Sequence, residues 1–507
     1  MMLESGSDWK KHFRIEHAWF FGILVVAAFL RLKGLNFQSL WGDELFSIYH
    51  SSPDFSIFRI VGVSRWDPHP PLFLLLLHSW MKLFGYNEFS PRLFTAVIGI
   101  LSVYPVVLLG KEIFNRQAGL IAGLLVSVNF YHLYYSQEVR PYILLFLFTT
   151  LSFLFFIKNL KEQGKKNRLF YVLYTILMLY THYYGLFILL SQFIYLGFYY
   201  GFQKKLFNLR AIRHHLMAGL MMVILYVPMI WFVLKMMQKT DHWIKVPPKP
   251  LFFLNLFGVF FGNEILLNIL FSILLLFLVV KCILKGRQGT CTSSEFKSLL
   301  FSIPVVISWI FFSLFVPYLR SLIMVPMLSF KHGIYILAGI LVLIASAIAM
   351  IRPGFLRMII IVAVFMVSVS SIYFQHDYYG RKTKQQWREA VTQIRQAAEG
   401  MSEDSMAVLS EEIRYSQCYF DILKSDVKIL SPTFLNLKNC VKKQTGSSLN
   451  LLILDWEEQP IQDRRFLNIL SRYFIRVETR HYISVSFEKY ELRGQQLQAL
   501  KALLKIA

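Results

Sequence analysis

The sequence predicts a mainly α-helical, polytopic membrane protein of about 11 transmembrane helices with a small C-terminal α/β domain. Three observations support this prediction. The 507 residues are 56% hydrophobic and only 16% charged, with a mean hydropathy of +0.49, whereas an ordinary soluble domain is about a quarter charged. The apolar residues form long runs, and basic residues occupy the short segments between them. From residue 375 onwards, the chain becomes polar and mixed in charge.

A helix that crosses the hydrocarbon core of a bilayer needs roughly 20 apolar residues. The runs that meet this requirement are 17–32, 93–110, 117–135, 141–157, two within 170–200, 216–234, 265–283, 299–315, 333–351 and 356–373. The run from Pro70 to Phe84 is short for a span, so we expect a juxtamembrane helix that lies at the interface. The number of crossings around 70–84 and 250–265 stays open.

The basic residues predict the orientation of the chain. The net charge is +23, and cytoplasmic loops carry an excess of Lys and Arg. The richest loops, such as 158–168, fall on the side of the N-terminus, so we expect a cytoplasmic N-terminus and an extracytoplasmic C-terminus. Four lysines between 235 and 249 fall on the other side and oppose this orientation. Because orientation accounts for the charge, it does not indicate nucleic-acid binding.

Two domains are predicted: a transmembrane domain over 1–374, with a long first outer segment at 35–92, and an extracytoplasmic α/β domain over 375–507. In the second domain, the pattern predicts an amphipathic helix from Lys384 to Glu399. Short strands are predicted at 405–409, 427–430 and 451–454. Cys418 and Cys440 both lie in this domain, and the sequence leaves open whether they pair.

Asp43 and Glu44 are the candidate catalytic residues, because they follow the first span directly and are framed by Trp41 and Phe46. Carboxylates beside a bilayer are costly unless they have a task or a partner. If the loop faces away from the cytoplasm, they can perform acid/base chemistry at the membrane surface. A structural alternative is a helix cap, or an ion pair with a basic residue at the end of the first span.

The other unusual polar residues fall on the same predicted side and form a candidate substrate and phosphate site: Asp67, His69, Glu138, Arg140, His182, Tyr183, Arg320 and Lys331. Each has a structural alternative, such as a rigid helix entry, an interfacial anchor or a buried core histidine. Together they suit the activation of a hydroxyl group beside a lipid phosphate. The sequence contains no Gly-rich nucleotide loop, no zinc signature and no serine nucleophile elbow.

These motifs resemble those of GT-C superfamily glycosyltransferases of the protein O-mannosyltransferase type, in the branch that includes bacterial lipid A aminoarabinose transferases. The resemblance covers about residues 17–375. It is carried by Asp43-Glu44 after the first span, Asp67-Pro68-His69-Pro70-Pro71-Leu72, Arg92-Leu93, Ser136-Gln137-Glu138-Val139-Arg140-Pro141-Tyr142 and Thr181-His182-Tyr183. Lys331-His332 stands where this branch usually has Arg-Tyr, and lysine lacks the planar fork of arginine.

The resemblance implies an inverting transfer of a sugar from a polyprenyl-phosphate donor to a hydroxyl acceptor at the outer face of a bacterial inner membrane. Asp43 would be the general base and Glu44 would orient the acceptor or the local helix. Lys331 and Arg140, with Arg320 ranked behind them, would stabilise charge on the departing phosphate. No cofactor is required, and nothing supports a divalent metal. The acceptor is a lipid, a glycan or a protein hydroxyl.

Three alternatives remain. The first is a lipid-linked glycan polymerase or ligase that uses a diphosphate donor. The second is a lipid transporter, which would show ionisable residues at mid-membrane and a two-fold repeat of spans; the sequence shows few of the former and no repeat. The third is a catalytically silent scaffold. Neither the sugar, nor the acceptor, nor the oligomeric state can be determined from the sequence.

Overall fold

The computed structural model describes residues 6–67, 69–202, 208–238, 244, 246–287 and 294–506. The helices are α1 (Gly6–Leu32), α2 (Gly42–His50), α3 (Ile57–Val63), α4 (Leu72–Phe84), α5 (Phe89–Leu101), α6 (Val103–Ile113), α7 (Arg116–Ser127), α8 (Phe130–Ser136), α9 (Tyr142–Lys161), α10 (Lys165–Thr181), α11 (Gly185–Phe202), α12 (Leu209–Met237), α13 (Phe252–Phe260), α14 (Ile265–Arg287), α15 (Ser294–Ile323), α16 (Ile334–Ala349), α17 (Gly354–Ser370), α18 (Trp387–Ala398), α19 (Ile413–Ile422), α20 (Phe434–Lys443), α21 (Arg464–Tyr473) and α22 (Gly494–Leu503). A 3₁₀ turn (Phe330–Gly333) precedes α16, and a π turn (Ser371–Gln375) follows α17.

The chain forms two compact units. The first comprises Met1–Lys33, Phe55–Leu76 and Arg92–Gly380; the second comprises Gly34–Asp54, Leu77–Pro91 and Arg381–Ala507. This division differs from the sequence-based one, because two segments of the predicted first outer loop group with the C-terminal residues. The segment boundary at residue 380 lies close to the predicted boundary at residue 374.

The first unit is a bundle of apolar helices. Among the described residues, eight continuous helical stretches are long and apolar enough to cross a membrane: α5 with α6 (Phe89–Ile113), α9, α11, α12, α14, α15, the 3₁₀ turn with α16 (Phe330–Ala349), and α17 with the π turn (Gly354–Gln375). The bent pair of α7 and α8 would make nine if it is one span. The predicted spans all coincide with helices, but the apolar part of α1 (His17–Leu32) and the 17-residue α10 are shorter than the eight. The protein is therefore a multi-pass membrane protein, and 8 to 9 of the predicted spans are full-length among the described residues.

The predicted span 117–135 is broken into α7 and α8, which meet at an angle of 62°. At the break, the carbonyl group of Ser127 loses its helical partner, and that of Val126 accepts only a long hydrogen bond of 3.4 Å from the backbone N–H of Asn129. The fully buried guanidinium of Arg31, on α1, donates to both carbonyl oxygens at 2.9 Å. It also lies 2.8 Å from Nδ1 of His132. Because backbone polar groups in a bilayer need partners inside the protein, Arg31 makes the broken span possible.

α16 forms the centre of the first unit, because all of its residues are buried. It packs against α6, α7, α9, α14, α15 and α17. A Cβ atom at Gly339 would lie 3.2 Å from the indole ring of Trp309, so the glycine allows α15 to approach α16 closely. Trp309 in turn stacks on Phe153, with ring centroids 4.1 Å apart.

The second unit contains a five-stranded sheet in the order β2-β1-β3-β5-β4. Its strands are β1 (Met406–Ser410), β2 (Ile429–Leu430), β3 (Ser448–Trp456), β4 (Ile475–Tyr482) and β5 (Val485–Arg493). β1 pairs in parallel with β2 and β3, with Val408 opposite Ile429 and Leu452, while β5 pairs antiparallel with β3 and β4. The three predicted strands and the predicted helix are confirmed, whereas β4 and β5 were not predicted.

Two segments from the N-terminal half complete the second unit. Arg388, on α18, donates to both carboxylate oxygens of Glu88. The hydroxyl of Tyr419, on α19, accepts a hydrogen bond from the backbone N–H of Leu40 at 2.9 Å. Cys418 and Cys440 are both free thiols, so the pairing that the sequence left open is absent from the structure.

Candidate active site

The predicted site residues are distributed over both units, and each unit is described separately. In the second unit, the backbone N–H of Gly42 begins α2 and donates to Oε1 of Gln385 at 2.9 Å. A Cβ atom at position 42 would lie 3.3 Å from the ring of Trp456 and 3.4 Å from Gln385. Glycine therefore allows the start of α2, which carries Asp43 and Glu44, to approach the C-terminal residues closely.

The two carboxylates of the acidic doublet have different surroundings. Glu44 is fully buried, and its Oε2 lies 3.2 Å from Nζ of Lys384, which is also buried. Oε2 of Glu44 also accepts a hydrogen bond from the backbone N–H of Trp41 at 3.4 Å. Asp43 is half-buried. This ion pair holds Glu44 at the start of α2, and Asp43 is the more accessible of the two carboxylates.

A second carboxylate lies beside Asp43, and the sequence analysis missed it. The pKa of Glu458 is raised by burial and, next, by the negative charge of Asp43. Nε2 of Gln385 donates to Oε1 of Glu458 at 2.8 Å, and Nε1 of Trp387 donates to Oε1 of Gln385 at 3.0 Å. No local pattern could have indicated Glu458, because it lies far along the chain from Asp43.

In the first unit, Asp67 and His69 form a buried pair. Nδ1 of His69 lies 3.1 Å from Oδ1 of Asp67. An ionised carboxylate only accepts hydrogen bonds, so Nδ1 is the donor and the hydrogen bond fixes the orientation of the imidazole. The ring of His69 lies 4.8 Å from the ring of His182, measured between centroids. These two predicted site residues, from separate connections, are therefore brought together.

His182 is held as a neutral hydrogen-bond donor. The backbone N–H of Tyr184 donates to its Nδ1 at 3.1 Å, so the ring hydrogen of neutral His182 is on Nε2. Burial lowers the pKa of His182 well below its ordinary value, and the positive charges of His69, Arg140 and Lys331 lower it further. Within the described part of the chain, this buried Nε2 has no hydrogen-bond partner. It is therefore available to an acceptor on a ligand.

His332 adds a third imidazole, which the sequence analysis noted only as a departure from the family pattern. Its ring lies 5.7 Å from that of His182 and stacks on Tyr184 at 4.3 Å. The backbone N–H of Ser329 donates to Nδ1 of His332 at 3.1 Å. In the neutral ring, the hydrogen is therefore on Nε2. The signal that could have indicated His332 is its position beside Lys331.

Lys331 and Arg140 bring positive charge to this cluster. Nζ of Lys331 lies 5.7 Å from the ring centroid of Tyr142, in a cation–π geometry. Arg140 is 6% exposed and lies in the connection between α8 and α9. Both are close enough to His182 to depress its pKa. The positive charges of Lys331 and Arg140 therefore act on the same imidazole.

The remaining predicted residues are placed as follows. The hydroxyl of Tyr183 keeps its proton, because burial and the charge of Asp67 raise its pKa. The buried Glu138 contributes its carbonyl oxygen, which accepts from the N–H of Arg140 at 2.7 Å. Arg320, near the end of α15, donates to the carbonyl oxygen of Val325 at 3.1 Å and so stabilises the loop that follows this helix. It is not among the groups that act on His182.

We name the group of Arg140, His182, Lys331 and His332 the donor cluster. Its side chains combine the positive charges of Arg140 and Lys331 with imidazole N–H groups, and this composition suits a phosphate group. In the described part of the chain, no three His, Cys, Asp or Glu side chains are placed to hold a metal ion.

Comparison with known sequences identifies a family match over part of the chain. Residues 68–243 match the dolichyl-phosphate-mannose-protein mannosyltransferase family. The chain is also 29% identical over 170 residues to dolichyl-phosphooligosaccharide-protein glycotransferase 1 of Pyrococcus furiosus, and 30% identical over 151 residues to that of Pyrococcus horikoshii. These matches cover 29% and 24% of this chain but only 17% and 15% of the two archaeal proteins.

Solved structures match over nearly the whole chain. ArnT from Cupriavidus metallidurans in the apo state is 12% identical and gives a TM-score of 0.61 over 93% of this chain and 97% of ArnT. ArnT bound to undecaprenyl phosphate gives a TM-score of 0.56 over 93% and 98%. The fold is thus that of a polytopic membrane protein with a small C-terminal sheet. It is the GT-C fold, and the predicted resemblance to GT-C superfamily glycosyltransferases is confirmed.

Proposed function

We propose that the protein is a membrane glycosyltransferase that moves a sugar from a polyprenyl-phosphate donor to a hydroxyl acceptor. The observation that carries the proposal is the donor cluster. Two cations and two imidazoles converge there, and the neutral His182 keeps an unpaired, buried Nε2–H among the described residues. The family match and the undecaprenyl phosphate bound to ArnT favour a polyprenyl phosphate.

The proposed reaction is a single displacement at the anomeric carbon of the sugar. The acceptor oxygen forms a bond to the anomeric carbon while the bond between this carbon and the phosphate oxygen breaks. The configuration at the anomeric carbon therefore inverts. The acceptor hydroxyl loses its proton to Asp43, and polyprenyl phosphate departs with the electron pair. Lys331 and Arg140 would stabilise the charge that grows on the departing oxygen, which is where preorganised donors contribute most.

The proposed general base is Asp43, because Glu44 is committed to its ion pair with Lys384. General-base catalysis contributes about 10²–10⁴-fold to rate, so Asp43→Asn should reduce turnover by about that factor while the protein folds and binds its donor normally. Following the resemblance, we place the reaction on the extracytoplasmic face of a bacterial inner membrane.

The decisive experiment measures sugar transfer by the purified protein from a polyprenyl-monophosphate donor. Lys331→Ala should reduce turnover by about 10²–10³-fold, as the removal of one oxyanion donor does, and Lys331→Arg should retain part of the rate. Lys111→Ala removes an exposed lysine of α6 and should leave the rate unchanged. Equal losses in Lys331→Ala and Lys331→Arg would contradict a phosphate role for this charge.

The alternatives have distinct outcomes in the same assay. Transfer from a diphosphate-linked donor but not from the monophosphate would favour a glycan polymerase or ligase. Transfer that survives Asp43→Asn would remove Asp43 from the mechanism. If wild-type protein moves the lipid across vesicles without cleaving its sugar, the protein is a transporter.

A further inference from the structure

A deep groove runs between α1, α7 and α17 of the first unit. Its volume is about 800 Å³, which lies within the range of ligand pockets. Its walls are apolar over most of their length and include Ile23, Leu120, Leu124, Ile361 and Phe365. The space beside Gly22 on α1 is open, because a Cβ atom there would meet no atom within 4 Å.

The groove is about half as long as a full membrane span. It uses the residues from Ala18 to Val26 on α1, from Arg116 to Leu124 on α7 and from Gly354 to Phe365 on α17. At a rise of 1.5 Å per residue, these stretches are about 12–17 Å long. The hydrocarbon core is about 30 Å thick, so the groove has the length of one leaflet.

Two arginines mark one end of the groove. Arg116 is the first residue of α7, and Arg357 lies in the first turn of α17; both contribute to the lining. A guanidinium group can bind phosphate through two parallel hydrogen bonds. The groove thus combines a cationic end with an apolar channel, which matches an amphiphile with an anionic head and a hydrocarbon chain.

The groove is separate from the donor cluster. Its cationic end lies where α7 begins, whereas Arg140 follows α8, beyond the 62° bend between the two helices. The residues of the donor cluster contribute nothing to its lining. A ligand in the groove is therefore not the sugar donor bound for reaction.

We propose that this groove binds an anionic glycerophospholipid from the leaflet at which α1 begins, with its phosphate between Arg116 and Arg357 and an acyl chain along the apolar walls. The lipid would fill the space between the first and last membrane helices of the bundle. This binding does not depend on the proposed sugar transfer.

The test is native mass spectrometry of the full-length protein in detergent, titrated with phosphatidylglycerol or phosphatidylcholine. Wild-type protein should retain one phosphatidylglycerol with a Kd at least tenfold lower than that for phosphatidylcholine. In the Arg116→Gln/Arg357→Gln variant, the Kd for phosphatidylglycerol should rise at least tenfold, because charged hydrogen bonds are lost. Arg352→Gln removes a neighbouring exposed arginine outside the lining and should change nothing.

A second variant keeps the charges and blocks the channel. Gly22→Phe places a ring in the open space beside α1 and should abolish lipid retention while the thermal melt stays normal. Equal retention by wild type and both variants would overturn the proposal, and so would equal affinity for the two lipids. A dimer that Gly22→Phe dissociates would show that a second copy occupies the groove. Preference for undecaprenyl phosphate over phosphatidylglycerol would assign it to the donor lipid, again against the proposal.

Discussion

Replacing Glu44 by Gln tests whether this carboxylate is a structural partner of Lys384. The side chain of Glu44 is fully buried, that of Lys384 is 7% exposed, and their charged atoms are 3.2 Å apart. Removing one member of a buried ion pair costs about 3–5 kcal/mol, because the remaining buried charge loses this partner. Glutamine keeps an oxygen that can accept from the N–H of Trp41, so the change isolates the charge.

The loss should be visible in a thermal melt of the full-length protein in detergent. In a unit of this size, 1 kcal/mol changes Tm by about 2–4 °C, so we expect the second unit of Glu44→Gln to melt about 6–20 °C lower. Glu44→Gln/Lys384→Met should recover most of this loss, since no charge is then left unpaired. Glu389→Gln is the matched control, because its partner Lys382 is 39% exposed and such pairs contribute about 0–1 kcal/mol.

Two results would refute this reasoning. If Glu44→Gln melts like the wild type, the ion pair does not hold the start of α2. If the double variant melts no higher than the single one, the lower Tm of Glu44→Gln does not come from the buried charge of Lys384. A normal melt with lost sugar transfer would instead assign Glu44 a direct role on the substrate.

Three further predictions follow from buried groups. Burial and neighbouring positive charge hold the pKa of His182 well below its ordinary value, so the stability contributed by the neutral imidazole is complete above about pH 6.5 and falls as the pH decreases below about 6.5. His182→Asn should therefore flatten the acid side of a plot of Tm against pH, and an unchanged slope would contradict this. Arg31→Met should destabilise the protein by about 1–3 kcal/mol for each backbone carbonyl left unsatisfied at the α7–α8 break; a thermal melt like that of the wild type would show that water or another group replaces it. Burial raises the pKa of both thiols, that of Cys418 to about 12, but Cys418 is fully buried and Cys440 only half-buried. A maleimide at pH 8 should therefore label Cys440 slowly and leave Cys418 unmodified; labelling of Cys418 in folded protein would be inconsistent with its burial.

The helical fold could be predicted because its signal is local. Each membrane helix carries its own apolar run, so composition alone located nearly all of them. The break at Val128-Asn129 was missed because hydropathy continues through it; Asn129, whose side chain accepts from the N–H of His132, was the available helix-start signal. β4 was missed because most of its side chains are exposed, so it lacks a buried face.

The candidate site could be predicted only in part, because it depends on contacts between distant residues. Asp67, His182 and Lys331 stand out as polar residues beside apolar runs, and the sequence analysis selected them for that reason. Glu458 and Gln385 look ordinary in a polar domain, and only the folded chain brings them beside the start of α2. The distinction between Glu44 and Asp43 likewise depends on Lys384, which no local pattern connects to them.

The enclosure of α16 has a consequence for biogenesis. Every residue of α16 is covered by protein, so the folded helix is surrounded by other helices and not by lipid. Its neighbours α6, α7 and α9 are synthesised before it, but α17 emerges afterwards. The protein surroundings of α16 are therefore complete only after α17 has been synthesised.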